Sequence, residues 1–537
     1  MASAKKRMSS GKNSKASASR RAAPLLLGGK PLVLEDVQAV ALGGRKVGLA
    51  PRARDRIKKS HDFLMKEVRS GKTLYGVNTG FGLLSNVRIP DGDIEQLQVN
   101  LIRSHACGVG AYLSDSFVRA MLLLRASTLA IGHSGVRLAL VEHILDVLNS
   151  GICPLIPEQG SVGASGDLAP LSHLALVLIG EGRARYRGTE LTGAEALKRA
   201  GLKPIRLGPK EGLALINGTQ FMTAIGALVC REAEALIDLA DALGAMSLEA
   251  MRGTEAAFEP EIHAVRPHPG QILSAKRVRQ FLLTSGRKSQ IARSHENCGK
   301  VQDPYSLRCI PQVHGASRES LTFVRQVLER EMNSVTDNPL VFPPGMPIGD
   351  GSHGKGTGRI LSGGNFHGQM VAIAMDLLSI ATAEIANISE QRMEKLINPA
   401  LSDLPAFLTR AGGLNSGFMI VQVAAASIVS ENKTLCHPAS VDSIPTSADK
   451  EDHVSMGAWA ARKASRVVIN TRRVLAMELL AAAQGIDLLR PLRTSDSLER
   501  IHAQLRKEVA PMEVDRSVHE DLQRIEALIE QGAFVVG

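Results

Sequence analysis

Residues 213–251 read LALINGTQFMTAIGALVCREAEALIDLADALGAMSLEAM, a run in which apolar residues fill most positions. Ala, Leu and Met are strong helix formers. A helix that is apolar on most of its faces has to be buried on all sides. The run therefore predicts a long helix at the centre of the molecule.

Similar runs recur along the chain and indicate one large helical fold. We predict further helices at residues 114–131, 135–148, 317–331, 368–396, 415–433 and 456–489. Aromatic residues make up only 3% of the 537 residues, which argues against a fold built on aromatic-rich strands. Several of these helices are apolar enough to require a bundle deep inside an oligomer.

The N-terminal part of the fold has a different character. Residues 25–49 contain short apolar clusters separated by glycine pairs, which is typical of small strands and turns. The sequence thus predicts a mainly α protein, in which a long central helical bundle is joined to a small mixed α/β region near the N-terminus. We expect a single fold over residues 25–537, with the mixed region at 25–113 and the helical body at 114–537.

The formal net charge of +11 is concentrated at the N-terminus. Seven of the 64 basic residues, and no acidic residue, lie in residues 1–24. A Ser- and Ala-rich segment of this kind predicts a disordered, solvated tail, and a weak polyanion-binding arm is the alternative. The remaining 57 basic residues exceed the 53 acidic ones by only four, so nucleic acid is not an expected partner of the body of the protein.

Cysteine and histidine spacing bears on the compartment and on metals. The six cysteines lie far apart without a C-x-x-C pair, which argues against a disulfide framework and structural zinc and suits a reducing cytoplasm. None of the 15 histidines has zinc-type spacing with partners. We therefore expect a cytoplasmic protein that has no metal and no dissociable cofactor.

Two further stretches invite a structural interpretation. The uncharged run 411–430 is about long enough to span a bilayer, but its Asn, Gln and Ser residues favour a helix buried in a soluble core. We expect no membrane association. The Gly-rich stretch 349–358 is typical of a mobile surface loop.

Residues 160–173, GSVGASGDLAPLSH, carry a pattern with chemical consequences. Because Gly166 has no side chain, its amide nitrogen can approach the carbonyl carbon of Ala164 closely. Attack there would close a five-membered ring with loss of water, and loss of the Ser165 hydroxyl would then leave an exocyclic methylene. Such a group is a strong electrophile made from the chain itself. Taken alone, however, the tripeptide is typical of an ordinary turn.

Eight further segments distinguish these two interpretations. In chain order they are YGVNTGFG (75–82), NLIRSHACGVG (100–110), LINGT (215–219), RPHPGQ (266–271), QDPYSLRCIPQVHG (302–315), NSVTDNPLVF (333–342), GGNFHGQ (363–369) and EDHVSMG (451–457). With residues 160–173 they closely resemble the ammonia-lyase family that uses a self-made methylidene-imidazolone (MIO) electrophile. That family contains histidine, phenylalanine and tyrosine ammonia-lyases and aromatic aminomutases. The resemblance runs from about residue 25 to the C-terminus.

The resemblance implies roles for individual residues. It assigns Ala164, Ser165 and Gly166 to the MIO group and links Asp167 to its formation. Tyr75 matches the base that removes the β-proton. The other matched positions surround the electrophile and the substrate: Asn217, Gln302 and Tyr305 as polar residues, Arg308 as the partner of the substrate carboxylate, and Phe366 as an aromatic that shapes the pocket.

Two matched positions bear on the substrate. Glu451 stands where the histidine lyases of the family carry glutamate, and a carboxylate suits an imidazole N–H but not a benzene ring, where its desolvation would go uncompensated. His105 matches a position that approaches the substrate ring. The resemblance therefore implies elimination of ammonia from L-histidine to give trans-urocanate. The segment before Glu451 departs from many relatives, and Lys450 either pairs with Glu451 or points away.

The resemblance also implies a fumarase-like helical architecture and a homotetramer whose active sites are shared between subunits. A tyrosine or phenylalanine ammonia-lyase, or an aromatic 2,3-aminomutase on the same scaffold, is the alternative activity. An alternative of another class is a catalytically inactive scaffold, or a nucleic-acid-binding protein that acts through the basic tail.

Overall fold

The computed structural model describes residues 23–296, 298–346 and 358–534, and in these ranges the protein is mainly helical. The helices are α1 (Leu34–Ala41), α2 (Pro51–Arg69), α3 (Ile94–His105), α4 (Asp115–Ala130), α5 (Leu138–Ser150), α6 (Leu168–Leu178), α7 (Gly193–Arg199), α8 (Glu211–Ile216), α9 (Gln220–Ala250), α10 (Pro260–Ala264), α11 (Pro269–Leu282), α12 (Gln290–Ser294), α13 (Tyr305–Arg308), α14 (Ile310–Met332), α15 (Gln369–Ile397), α16 (Pro399–Ser402), α17 (Met419–Leu435), α18 (Gly457–Leu488), α19 (Asp496–Arg506) and α20 (His519–Glu530).

The strands of the described residues are short and form small separate sheets. They are β1 (Leu25–Leu27), β2 (Val47–Leu49), β3 (Val109–Tyr112), β4 (Cys153–Pro154), β5 (Pro157–Gln159), β6 (Arg183–Tyr186), β7 (Thr189–Thr192), β8 (Leu283–Thr284), β9 (Arg287–Lys288), β10 (Leu340–Phe342) and β11 (Arg359–Leu361). Strands β1 and β2 pair in parallel, whereas the β3–β5, β4–β6–β7, β8–β9 and β10–β11 pairings are antiparallel. The prediction of a mainly α fold with a small mixed contribution is confirmed; the division at residue 113 stays a prediction.

Helices α9, α14, α15 and α18 form the central bundle, with α9 and α18 almost entirely buried. Glycines allow these helices to pack closely. A Cβ added at Gly226 of α9 would lie 2.8 Å from Cδ2 of Leu328 in α14 and 3.0 Å from Sδ of Met375 in α15. Close packing of this kind leaves no room for an added methyl group without movement of a neighbour.

The long apolar run 213–251 contains one break, which positions the candidate site. Helix α8 ends at Ile216 and α9 begins at Gln220, so Asn217, Gly218 and Thr219 form a short non-helical link. The link is buried at the N-terminal end of the bundle. Because the link is not helical, its backbone groups are available to hydrogen-bond another segment.

The structure corrects the expectation for residues 25–49. Strands β1 and β2 are present, but helix α1 connects them where turns were expected. The helix buries Leu34, Val37, Val40 and Ala41, which recur at helical spacing between the two glycine pairs.

The structure also corrects the interpretation of residues 411–430. Residues 411–418 are not helical, α17 begins at Met419, and one of its faces is exposed. Ile420 and Val423 are 64% and 52% exposed, so in the single chain α17 is not a helix buried on all sides. Helix α14 begins at Ile310, earlier than the expected residue 317, since the helix includes the polar residues that precede the apolar repeat.

Helix α15 is long and apolar enough to cross a membrane, with 67% of its most apolar window buried inside the protein. It packs against α9, α14 and α18. On its outer side Met370, Ile373 and Ile380 are exposed. The basic tail lies outside the described residues except for residues 23 and 24, and so does the Gly-rich stretch except for Gly358.

We expect that Gly226→Val lowers the free energy of unfolding by about 1–3 kcal/mol, because the added carbons overpack the contact of α9 with α14 and α15. Thermal or denaturant unfolding measures the effect. Gly92→Val is the matched control, since Gly92 lies in an exposed turn and a Cβ there meets no atom within 4 Å. Equal losses in the two variants would contradict this account of the bundle.

Candidate active site

The segment 160–167 lies between β5 and α6 and runs against the link between α8 and α9. Gly166 pairs with Gly218 as an isolated parallel bridge, and the amide of Asp167 donates to the Gly218 carbonyl at 2.7 Å. A Cβ at Gly166 would lie 2.2 Å from that carbonyl oxygen, and its φ of +75° is one that glycine adopts readily. Only glycine fits at this position.

Asn217 and Asp167 connect this segment to the N-terminal end of α9. The Asn217 side-chain amide donates to the Ser165 carbonyl at 2.9 Å. The Asp167 carboxylate accepts hydrogen bonds from the Phe221 and Met222 amides, each at 3.1 Å, at the first turn of α9. The candidate residues Ala164–Asp167 are thus fixed to the start of the central helix.

Burial strongly affects the Asp167 carboxyl. Removal from water raises its pKa to about 7, although the two amides of α9 and the Ser161 hydroxyl favour the ionised form. The group therefore titrates near neutral pH in a position directly beside the Ala-Ser-Gly tripeptide.

The residues that precede α18 hold the other side of the segment. The Ser455 hydroxyl donates to the Gly163 carbonyl at 2.8 Å, and the Met456 amide donates to the Val162 carbonyl at 2.8 Å. Gly368, at the start of α15, packs against Ser455, which brings the half-buried Phe366 to the same side of the bundle.

Glu451 reaches the tripeptide directly. Its Oε1 accepts from the Ser165 hydroxyl at 2.5 Å, and its Oε2 accepts from the Thr446 hydroxyl at 2.7 Å. The carboxylate is therefore part of the site and not a solvated surface group. Among the ion pairs of the described residues none joins Lys450 to Glu451, and Lys450 is exposed, which favours the expectation that it points away.

Tyr75 and His105 lie on segments that pack beside the same region. Gly76 packs against Leu213 of α8, and the Tyr75 ring meets Phe81 edge-on with centroids 6.4 Å apart. His105 is the last residue of α3, and its Nδ1 lies at hydrogen-bond distance, 2.8 Å, from the Leu101 carbonyl oxygen. Three residues further on, the backbone of Gly108 lies against Gly160 at the start of the electrophile segment.

Gln302, Tyr305 and Arg308 lie elsewhere. Their segment contacts the C-terminal end of α9, where Asp303 accepts from the Thr254 amide at 2.7 Å and Ile310 packs on Gly244. Asn217 stands at the N-terminal end of α9, and at 1.5 Å per residue its 31 residues extend for about 45 Å. One chain therefore separates Arg308 from Ser165 by most of the length of the bundle.

The far segment is nevertheless built as a polar site. Tyr305 is 71% exposed, and the Arg308 guanidinium lies 4.5 Å from the centre of its ring. Arg308 Nε is buried and has no hydrogen-bond partner among the described residues. The His, Cys, Asp and Glu side chains of the described residues form no group of three that could hold a metal ion.

Comparisons with known proteins agree with the motifs. Residues 32–507 match the model of the family described as aromatic amino acid lyase. The chain belongs to the aromatic amino acid lyase family. The resemblance found in the motifs is thereby confirmed, and the protein is a carbon–nitrogen lyase.

Relatives from this lyase family cover almost the whole chain. A histidine ammonia-lyase of Anaeromyxobacter sp. (strain K) is 53% identical over 519 residues, which are 95% of this chain and 99% of the relative. The crystal structure of histidine ammonia-lyase from Trypanosoma cruzi has a TM-score of 0.86 at 46% identity, covering 95% of this chain and 94% of that one. Tyrosine aminomutase from Streptomyces globisporus has a TM-score of 0.87 at 36% identity, covering 95% and 97%.

Two residues of this lyase contact the site although they were not singled out in the sequence. Ser455 binds the Gly163 carbonyl, and its position inside the EDHVSMG segment was the available signal. Arg125 donates to the Asn217 carbonyl at 2.8 Å. Its signal was a lone charge within the apolar run MLLLRASTLA at 121–130.

The titration of Asp167 has a consequence for stability. The folded chain holds its proton up to about pH 7, whereas the ordinary pKa of the group is 3.8, so folding takes up a proton between these values. The protonated Asp167 carboxyl therefore contributes to the free energy of unfolding at low pH, and this contribution is lost as the pH rises from about 4 to about 7.

We expect Asp167→Asn to remove this dependence in a Ser165→Ala background, which cannot form the exocyclic methylene. Denaturant unfolding of the single and double variants from about pH 5 to about pH 8 measures it, and the double variant should gain relative stability as the pH rises. A difference between the two variants that stays constant over this range would contradict the raised pKa.

Proposed function

We propose that this lyase is a histidine ammonia-lyase, which eliminates ammonia non-oxidatively from L-histidine to give trans-urocanate. The observation that carries the proposal is the contact of the Glu451 carboxylate with the Ser165 hydroxyl at 2.5 Å. A carboxylate at the reacting centre suits a substrate that offers an N–H, and its desolvation would be uncompensated against a plain aromatic ring. The histidine ammonia-lyases that are 53% identical to this chain support the same assignment.

The electrophile of this proposal is the MIO group formed from Ala164, Ser165 and Gly166. The surroundings of the tripeptide fit such a group. Gly166 is pressed against Gly218, and the buried Asn217 Oδ1 has no hydrogen-bond partner among the described residues. When formed, the group supplies an electron sink that activates the substrate amine for departure.

The side chains of the protein would do the remaining work. Tyr75 would take the β-proton, which a positioned base must remove because the substrate does not release it readily. Arg308 would hold the substrate carboxylate, since its planar guanidinium pairs with a carboxylate through two parallel hydrogen bonds. Tyr305, Asn217 and Gln302 would surround the electrophile and the amine with hydrogen-bonding groups.

The ring of the substrate would lie between His105, Phe366 and Glu451. Phe366 offers an apolar surface, and Glu451 offers an acceptor for an imidazole N–H. Glu451 also binds Thr446, which fixes the direction of the carboxylate. Glu451 is half-buried, and a site built to hydrogen-bond a substrate N–H discriminates against analogues that lack it, which supports histidine over phenylalanine.

We further propose that the protein is a homotetramer with shared active sites. Arg308 and Tyr305 are separated from Asn217 and the tripeptide by most of the length of α9, which is about 45 Å in all, so the two halves of a site would have to come from different chains. The exposed apolar side chains on α15 and α17, Met370, Ile373, Ile420 and Val423 among them, would be covered at the subunit contacts. We place this enzyme in the cytoplasm, at the first step of histidine breakdown.

The activity is tested by following urocanate formation by ultraviolet absorbance with purified protein. We expect turnover of L-histidine and little turnover of tyrosine or phenylalanine. Ser165→Ala should stay folded and lose almost all activity. Its mass should lack at most one water, because it has no Ser165 hydroxyl to lose, whereas the wild-type chain should lack the mass of two waters. Formation of coumarate, cinnamate or a β-amino acid without urocanate would overturn the choice of substrate.

Shared sites are tested by combining two inactive chains. Ser165→Ala lacks the electrophile and Arg308→Met lacks the carboxylate partner, so each homotetramer should be inactive. Random co-assembly should restore about a quarter of the wild-type activity, because a site is complete when one chain supplies Ser165 and another Arg308. Mixing homotetramers without subunit exchange is the control. Absence of restored activity in proven mixed tetramers would contradict shared sites.

A further inference from the structure

Arg125 is a fully buried cation that the proposed reaction does not use. It lies in α4, in an otherwise apolar run, and is 0% exposed. The carboxylates of the described residues form no ion pair with it, and its Nε and Nη2 have no hydrogen-bond partner there. Burial lowers its pKa to about 10, so it stays charged at neutral pH. A buried charge without a carboxylate partner is costly, which calls for a compensating role.

The contacts of Arg125 point to the link between α8 and α9. Its Nη1 donates to the Asn217 carbonyl at 2.8 Å and to Gln220 Oε1 at 3.0 Å. The Gln220 amide in turn donates to Thr336 Oγ1 at 2.9 Å and to Thr128 Oγ1 at 3.1 Å. Arg125, Gln220, Thr128 and Thr336 thus form a connected polar layer, here named the floor, beneath Asn217 and Gly218.

Gly218 is confined between the floor and the electrophile segment. A Cβ built on Gly218 would lie 2.4 Å from Gln220 Oε1, 2.7 Å from Arg125 Nη1 and 2.9 Å from Thr336 Oγ1. On its other side, the Gly218 carbonyl oxygen would lie 2.2 Å from a Cβ on Gly166. Three layers therefore stand in direct contact: the floor, Gly218, and Gly166.

The same link holds the tripeptide at two points, its middle residue and the residue that follows it. The Asn217 side chain binds the Ser165 carbonyl, and the Gly218 carbonyl binds the amide of Asp167. Displacement of Asn217 and Gly218 toward the floor would slacken both hydrogen bonds at once. The position of the floor thus sets how tightly Ala164–Gly166 is compressed.

We propose that Arg125 is a positioning residue for formation of the electrophile, and this inference rests on the proposed function. The reaction forms a bond from the Gly166 nitrogen to the Ala164 carbonyl carbon. The carbonyl oxygen leaves as water with the amide protons of Gly166 and Ser165, and a double bond forms between that carbon and the Ser165 nitrogen. The Ser165 hydroxyl then leaves as a second water with the proton of its Cα. No oxidant or reductant is needed. Arg125 touches none of these atoms and acts through Asn217 and Gly218.

Arginine suits this role better than other residues. Its guanidinium is planar and rigid and binds two oxygens from one nitrogen here, whereas lysine offers a compact charge on a flexible stem. An apolar residue of similar length would leave the Asn217 carbonyl buried without a donor. A misplacement of about 1 Å in a ring closure of this kind can reduce the rate on the order of 100-fold.

The test measures maturation directly, by the intact mass of purified full-length protein followed with time. We expect the wild-type chain to lack two waters at the first time point. Arg125→Met should close the ring about 100-fold more slowly, and Arg125→Lys should be intermediate. Turnover of histidine should rise in each variant in proportion to the matured fraction.

Arg392→Met is the matched control. Arg392 is also 0% exposed, but it pairs with Glu478 at 2.8 Å in the bundle, remote from the link. This variant should lose thermal stability, as Arg125→Met should, and yet mature at the wild-type rate. The intact mass is measured on the folded, soluble fraction of each variant. If Arg125→Met gives no soluble protein, the maturation rate of Arg125→Lys tests the proposal instead.

Two results would overturn the proposal. One is maturation of the soluble Arg125 variants at the wild-type rate. The other is equal slowing in the Arg125 and Arg392 variants, which would indicate general loss of stability. A wild-type chain at full theoretical mass would instead overturn the proposed function, so the two failures are distinguishable.

Discussion

The close approach of Gly166 to Gly218 is the contact on which the site depends. Neither residue can carry a side chain, since a Cβ on either would meet backbone or polar atoms at 2.7 Å or less. The contact exists because the run of apolar residues that forms the central helix is interrupted for three residues at its N-terminal end. Asn217 and Asp167, which hold the Ala-Ser-Gly tripeptide on one side, are both attached to that interruption.

A rigid scaffold around the interruption explains why so many polar groups are buried there. The first turn of α9 presents free amides, and Asp167 occupies two of them. The link is braced by Arg125 and Gln220 on one side, and the segment that precedes α18 closes over the tripeptide on the other. Packing of α9, α14, α15 and α18 keeps these groups in register.

Much of this could be predicted from the sequence, and the reasons for the failures are physical. The long helices follow from composition and periodicity, and the tripeptide and its companion segments point to the family without a structure. The exposed face of α17 could not be foreseen, because apolar composition does not distinguish burial within a chain from burial between chains. Helix α1 was missed because it has only eight residues and the glycine pairs on either side of it are typical of turns.

The candidate site shows a similar division. Glu451 was identified through its motif, but its contact with Ser165 depends on residues 286 positions apart in the chain. The role of Arg125 beneath Asn217 left only the weak signal of a charge in an apolar helix. The order of the motifs indicates which residues belong to a site, whereas tertiary packing decides which of them lie close together within one folded chain.

The length of α9 also separates formation of the electrophile from completion of the substrate pocket. The contacts that hold the tripeptide in the described residues lie within one chain, so in the proposed enzyme a single subunit would supply all of them. In the proposed homotetramer, substrate binding would draw on the C-terminal end of another subunit's α9. Under that proposal, a newly made chain would form its electrophile before assembly, and the complete substrate pocket would exist only after assembly.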